Sequence, residues 1–259
     1  MNLIKQGQLS STIGGFAFIH QLNLKPISDY NEPAIFFGMY SANERDWDTL
    51  MKMKSQVTIF WGGGDSHNIK NSSLIKDINC RNITCTVQTA KNLNKHGIEC
   101  EVLPLGQFFF KNHIFKPITK QNKIYSYIPS SNPNYYNKPL IDELNLGNKL
   151  LVGSSPKVSG INQLDWSKGK GLECYSNCYL GLQLGLESGG GAGIVEMGLC
   201  GIKVITNVLK APNTISWETK EDILNTIKLE EKSIGTTNVE LANQVREWMV
   251  NDIEYLKIK

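Results

Sequence analysis

The stretch Glu187-Ser188-Gly189-Gly190-Gly191-Ala192-Gly193-Ile194-Val195-Glu196-Met197-Gly198-Leu199-Cys200-Gly201-Ile202-Lys203-Val204-Ile205 decides how this chain is read. A glycine run comes first. A segment from about Gly193 to Cys200 then reads as a helix capped by Gly201, and Ile202–Val208 reads as an apolar, β-branched strand. Glycines just before a helix let backbone amides approach an anion, and the helix N-terminus adds unpaired N–H groups and a favourable dipole. A diphosphate fits such a cradle. One turn into the helix, the Glu196 carboxylate can accept hydrogen bonds from vicinal hydroxyls such as those of a ribose. A glycine turn by itself is often only structural, and a helical glutamate is by default a solvated side chain. The ordered combination of loop, helix, glutamate, glycine and strand points to a nucleotide-diphosphate site.

Outward from this stretch, short apolar runs alternate with helix-like segments, the pattern of an α/β fold with parallel sheets. Upstream, a helix ending near Asn177 leads into a strand over Cys178–Leu184. The glycine loop therefore leaves the carboxyl end of a strand, where open α/β sheets bind ligands. Ile124–Ile128 and Lys149–Gly153 read as strands, with a helix near Lys138–Leu144 between them; Lys220–Leu229 and Val239–Tyr255 read as helices. In the first half, Ala34–Tyr40, Gln56–Trp61, Asn82–Val87 and Ile98–Leu105 read as strands. Glu44–Lys54 and Thr89–His96 read as helices, the second stopped by Gly97. Polar residues from Lys111 to Lys123, with Pro117 among them, mark a junction. The expectation is α/β with two Rossmann-like domains facing across a cleft, residues 1–118 and residues 119–235. A C-terminal helical segment, 236–259, follows.

The chain has 259 residues, 41% hydrophobic and 20% charged, enough to bury a core without disulfide or metal staples. A net charge of +3 with no dense Lys/Arg stripe argues against nucleic-acid binding by phosphate neutralisation. The six cysteines, Cys80, Cys85, Cys100, Cys174, Cys178 and Cys200, lack zinc or redox spacing and read as reduced thiols. The N-terminus lacks a signal-peptide core and no run of about 18 apolar residues occurs, so the expectation is a cytoplasmic protein without a transmembrane segment.

At residues 188–205 the chain resembles the GT-B glycosyltransferases of the retaining family-4 kind (glycosyltransferases group 1), in a short form. Their donor motif runs from an acidic residue through a glycine-containing phosphate loop to a glutamate eight residues on, then a small residue, glycine and an apolar strand. Glu196, Cys200-Gly201 and Val204-Ile205 match its second half. The first acidic position falls on Ser188, with Glu187 displaced by one. The family's carboxylate there contacts the transferred sugar, so the resemblance implies a catalytic place for Glu187 and Ser188, through an altered loop, a lesser version of the role or a changed donor choice. It implies donor binding by Gly189, Gly190, Gly191, Ala192 and Glu196. Trp61-Gly62-Gly63-Gly64-Asp65 resembles the Gly-x-Asp turn of the family's N-terminal domain, which makes Asp65 a catalytic candidate and His67 the second. Locally, Asp65 also reads as a cap of the following turn. Gly14-Gly15 resembles the family's N-terminal glycine loop. Lys138 takes the place of the basic residue that meets the diphosphate, with Lys157 as alternative; the accompanying Arg is missing, and Ser130 and Ser131 occupy that loop.

The resemblance spans roughly residues 34 to 259, and it implies an acceptor side in residues 1–118, a nucleotide-sugar side in 119–235 and a final helical segment, 236–259, that crosses back onto the first domain. It implies transfer of a sugar from a UDP- or GDP-sugar donor to a carbohydrate or glycoconjugate acceptor hydroxyl, with retention and no metal. No cofactor is implied, since the nucleotide-sugar is a substrate. Two other readings stand beside it. A sugar-nucleotide epimerase of the same architecture needs a carboxylate and a His over the sugar, for which His67 is the one support. A catalytically degenerate GT-B binding or scaffold subunit is favoured by Ser188 and the missing Arg.

Overall fold

The structure, a computed structural model, describes residues 8–9, 25–39, 44–62, 64–66, 69, 72–78, 80–84, 86–102, 115–128, 133–154, 163–165, 174–185 and 192–250. The chain divides into two compact units, Met1–Lys111 with Met249–Lys259, and Asn112–Trp248.

In the first unit, Val57-Thr58-Ile59-Phe60-Trp61 is apolar and β-branched without alternation, the composition of a strand covered on both faces. All five residues are buried. The strands are β1 (Gln8–Leu9), β2 (Lys25–Pro26), β3 (Ala34–Phe37), β4 (Val57–Trp61), β5 (Cys80–Thr84) and β6 (Glu101–Val102). They pair in parallel in the order β2-β1-β3-β4-β5-β6. Helices α1 (Glu44–Lys52), α2 (Ser72–Asp77) and α3 (Val87–Lys95) lie between strands. Trp47 and Leu50 of α1 enter a core with Phe36, Met39, Ile59, Trp61, Ile75 and Leu93. The expected strand through Val87 ends instead at Thr84. The Thr86 hydroxyl accepts the Thr89 N–H at 3.1 Å and caps α3, leaving Val87 57% exposed in its first turn. Gly97, at φ 69°, ends that helix as expected.

In the second unit, β7 (Lys123–Tyr127), β8 (Leu150–Ser154), β9 (Gln163–Asp165), β10 (Cys178–Gln183), β11 (Lys203–Thr206) and β12 (Thr214–Ile215) form a second all-parallel sheet. Its order is β12-β11-β10-β7-β8-β9. The chain leaves β7 for β8 and β9 on one side, then returns to place β10 on the other. Helices α4 (Lys138–Glu143), α5 (Ala192–Leu199), α6 (Lys220–Glu230) and α7 (Val239–Val250) complete it. Two cores cover the two sheet faces. Ile141, Ile223 and Ile227 pack with Ile124, Leu180 and Leu182 on one, and Ile194 and Met197 with Tyr125, Tyr175 and Val204 on the other. Residues 236–248 belong to this unit. The free thiols include Cys174, Cys178 and Cys200, all buried, and burial pushes the Cys200 thiol up to about 12, which makes it unreactive. Among the described residues no helix is long and apolar enough to cross a membrane.

Candidate functional site

Strand order reverses between β7 and β10, and ligand crevices in open parallel sheets form at the carboxyl ends of the strands flanking such a reversal. The glycine loop joins β10 to α5 at that edge. Its described ends are Gly185 and Ala192; Glu187, Ser188, Gly189, Gly190 and Gly191 lie outside the described residues. Ala192 is the first residue of α5.

Small residues and one asparagine set the place of α5. A Cβ on Gly198 would come within 2.7 Å of Asn213 Cγ and 2.8 Å of Val245 Cγ2, so the helix lies hard against both neighbours only because that position is glycine. Asn213 is fully buried, and its Nδ2 donates to Ile194 O at 2.8 Å and Ile202 O at 3.3 Å. It thereby ties the first turn of α5 to the entry of β11. Gly201, at φ 78°, turns the chain out of the helix.

Glu196 occupies the second turn of this fixed helix and is partly buried. Tyr175 donates from its hydroxyl to Glu196 Oε2 at 2.5 Å. Burial pushes the Glu196 carboxyl up to about 7, against the Tyr175 hydrogen bond, which favours the charged form. Burial, then the Glu196 charge, raises the Tyr175 hydroxyl well above its ordinary value. The Tyr175 ring is fully buried, edge-on to Tyr125 at 5.2 Å and tilted against Phe115 at 6.3 Å. Sequence reasoning missed Tyr175. It stands 21 residues before Glu196, and packing of α5 beside β10, rather than any spacing rule, brings the two together.

Asp65, the catalytic candidate of the first unit, lies in a 3₁₀ turn just beyond β4 and is only 2% exposed. Its Oδ2 accepts the Met39 N–H at 3.1 Å and the Gly62 N–H at 3.3 Å, so it ties together the exits of β3 and β4. Lys138 opens α4 at the carboxyl end of β7, but its Nζ is ion-paired with Asp142 Oδ2 one turn further on. His67, Lys157 and Gly14-Gly15 lie outside the described residues. The one Asp-x-Asp sequence, Asp46-Trp47-Asp48, falls inside α1, where Asp46 is buried and Asp48 exposed. Two residues apart on a helix, those carboxylates diverge and do not form a paired metal site.

No protein-family model and no curated protein sequence matches this chain. Solved structures do. Anabaena HepE in complex with UDP-glucose superposes with a TM-score of 0.65 at 8% identity, over 98% of this chain and 92% of that one. T4 phage β-glucosyltransferase superposes at 0.60 and 10% identity, over 97% and 96%, and another structure of the phage enzyme contains UDP and Mn2+. S. aureus TarM, in a complex that includes UDP, superposes at 0.56 and 13% identity; the match covers 86% of this chain and 52%, about half, of that one. The fold is therefore GT-B: two Rossmann-like α/β units, as the sequence led us to expect.

Proposed function

We propose that this chain is a glycosyltransferase that moves a sugar from a nucleotide-diphosphate donor, UDP- or GDP-linked, to a hydroxyl of a carbohydrate or glycoconjugate acceptor. The observation that carries the reading is Glu196, a partly buried carboxylate on a short helix that begins at the reversal point of a GT-B sheet. In this reading the N-terminus of α5 and the glycines Gly189, Gly190 and Gly191, with Ala192, hold the diphosphate as it departs. Ionised Glu196 accepts hydrogen bonds from the ribose hydroxyls, and Glu187 or Ser188 meets the transferred sugar. Lys138 reaches the diphosphate by exchanging Asp142 for it. Asp65 acts as a positioning residue, because its carboxylate already holds two backbone amides.

Retention of configuration and metal-free transfer belong to the proposal through the family-4 resemblance. The Mn2+ in the phage enzyme's structure makes chelation a necessary check. A further matching structure is that of a DNA-modifying β-glucosyltransferase, which makes DNA the counter-acceptor to test.

A donor-hydrolysis screen over UDP-, GDP- and other activated sugars tests the reading, with Glu196→Ala as control. One donor is expected to be hydrolysed or transferred, with its KM raised about tenfold or more in the variant, the loss of a charge-assisted hydrogen-bonded pair. Activity that survives EDTA supports the metal-free step, and the anomer formed, read by NMR, decides retention. Epimerised donor without acceptor would assign the chain to the epimerases instead. No binding or turnover of any nucleotide-sugar would leave the degenerate subunit.

A further inference from the structure

Tyr175 has no packing need for its hydroxyl. The ring is wholly buried among Tyr125, Cys174, Cys178, Ile194 and Met197, and phenylalanine would fill the same space. A buried hydroxyl requires a partner, and this one has the Glu196 carboxylate. The terminal torsion of a glutamate is broad and two-fold, so an unheld carboxylate samples many orientations. Here Oε2 is held by Tyr175, and Oε1 takes no hydrogen bond from any described residue. The ring that presents the hydroxyl is itself fixed edge-on by Tyr125.

We propose that Tyr175 is a positioning residue: by holding Oε2 it turns Oε1 of Glu196 toward the vicinal diol of a nucleoside, and so sets nucleotide affinity and its pH dependence. The inference rests on the reading of Glu196 as the diol acceptor. Accepting from two hydroxyls requires the ionised carboxylate, and the Tyr175 hydrogen bond favours that form while burial opposes it. The other titratable groups in this neighbourhood are Cys200, at the end of the same helix, Tyr125 and Cys174, which face Tyr175, and Arg246 of α7, which faces Cys200.

Two measurements on Tyr175→Phe test this, with Glu196→Ala beside it. The first is the carboxyl titration of Glu196 in the ligand-free protein by 13C NMR. The second is UDP-glucose affinity by calorimetry between about pH 5 and about pH 9, a ligand whose diphosphate does not titrate there. In Tyr175→Phe the Glu196 titration is expected to move upward. Affinity is expected to fall about tenfold near neutrality and to recover at alkaline pH, with a lowered melting temperature because Oε2 is left buried without its donor. A purely structural tyrosine moves neither the titration nor the pH profile. An unchanged titration, or a shifted titration with unchanged affinity, overturns the inference while Glu196→Ala still binds weakly. If Glu196→Ala binds as well as the unmodified chain, the reading of the site falls, and the inference with it.

Discussion

A glutamate that titrates near 7 is divided between two protonation states at neutral pH, and the two states favour different things. Folding favours the protonated form, because the folded value lies above the ordinary 4.5. Its contribution to stability is complete below about 4.5 and is lost as pH rises through 7, worth up to about 3 kcal/mol by linkage. Glu196→Gln is therefore expected to raise stability above neutrality and to flatten the decline between those values, measured by urea unfolding across pH. Ligand binding favours the ionised form, so donor affinity should rise over the same interval in which stability falls. Glu196 was legible in the sequence because its evidence is local: a glycine run before it, a glycine after it, and one turn of helix between. Tyr175 was not, since its partner stands 21 residues away and only packing joins them. Asp65 was legible as a turn residue, yet its hydrogen bond to Met39 spans 26 residues and joins the exits of two neighbouring strands, which no spacing in the sequence announces.

At the scale of the element, the most exacting position is a glycine inside a helix. Gly198→Ala puts a methyl within 3 Å of both Asn213 and Val245 and must push α5 off its seat. A loss of about 1–3 kcal/mol is expected in thermal unfolding, with weakened donor binding, because the same helix carries Glu196. At the start of α6, Thr219 and Asp222 form a reciprocal capping box, the Thr219 hydroxyl accepting from the Asp222 N–H and Asp222 Oδ2 from the Thr219 N–H. Thr219→Ala should cost about 1 kcal/mol, read as a lower melting temperature with unchanged donor affinity. Strands such as β4 and β10 were readable from sequence because burial on both faces demands a continuous apolar run. Strands β1, β2, β9 and β12 were not, since two or three residues are too few to show any period. At six residues, α2 is likewise too short to show a helical period. Val87 carries the β-branched side chain typical of a strand, yet the threonine cap one residue earlier starts a helix there.

For the whole molecule, the two units have separate hydrophobic cores. Calorimetry is expected to show two unfolding transitions, and a bound nucleotide-sugar should raise the one belonging to residues 112–248. At a ligand concentration of roughly 100 times Kd the added stability is about 2.7 kcal/mol. Equal shifts in both transitions would contradict this. The order β12-β11-β10-β7-β8-β9 also has a consequence for how the protein is made. Strand β7 leaves the ribosome long before β10, and the pair Ser126 and Leu182, which the Ser126 hydroxyl bonds across, is 56 residues apart in sequence. Until β10 arrives, the nascent sheet offers one side of β7, with Ile124 and Tyr125, as an unpaired edge, the kind of template on which other chains add. A chain ended at Asn177 should be made largely as aggregate, measured as the soluble fraction after expression. The strand that feeds the glycine loop is thus also the strand that closes this edge during synthesis.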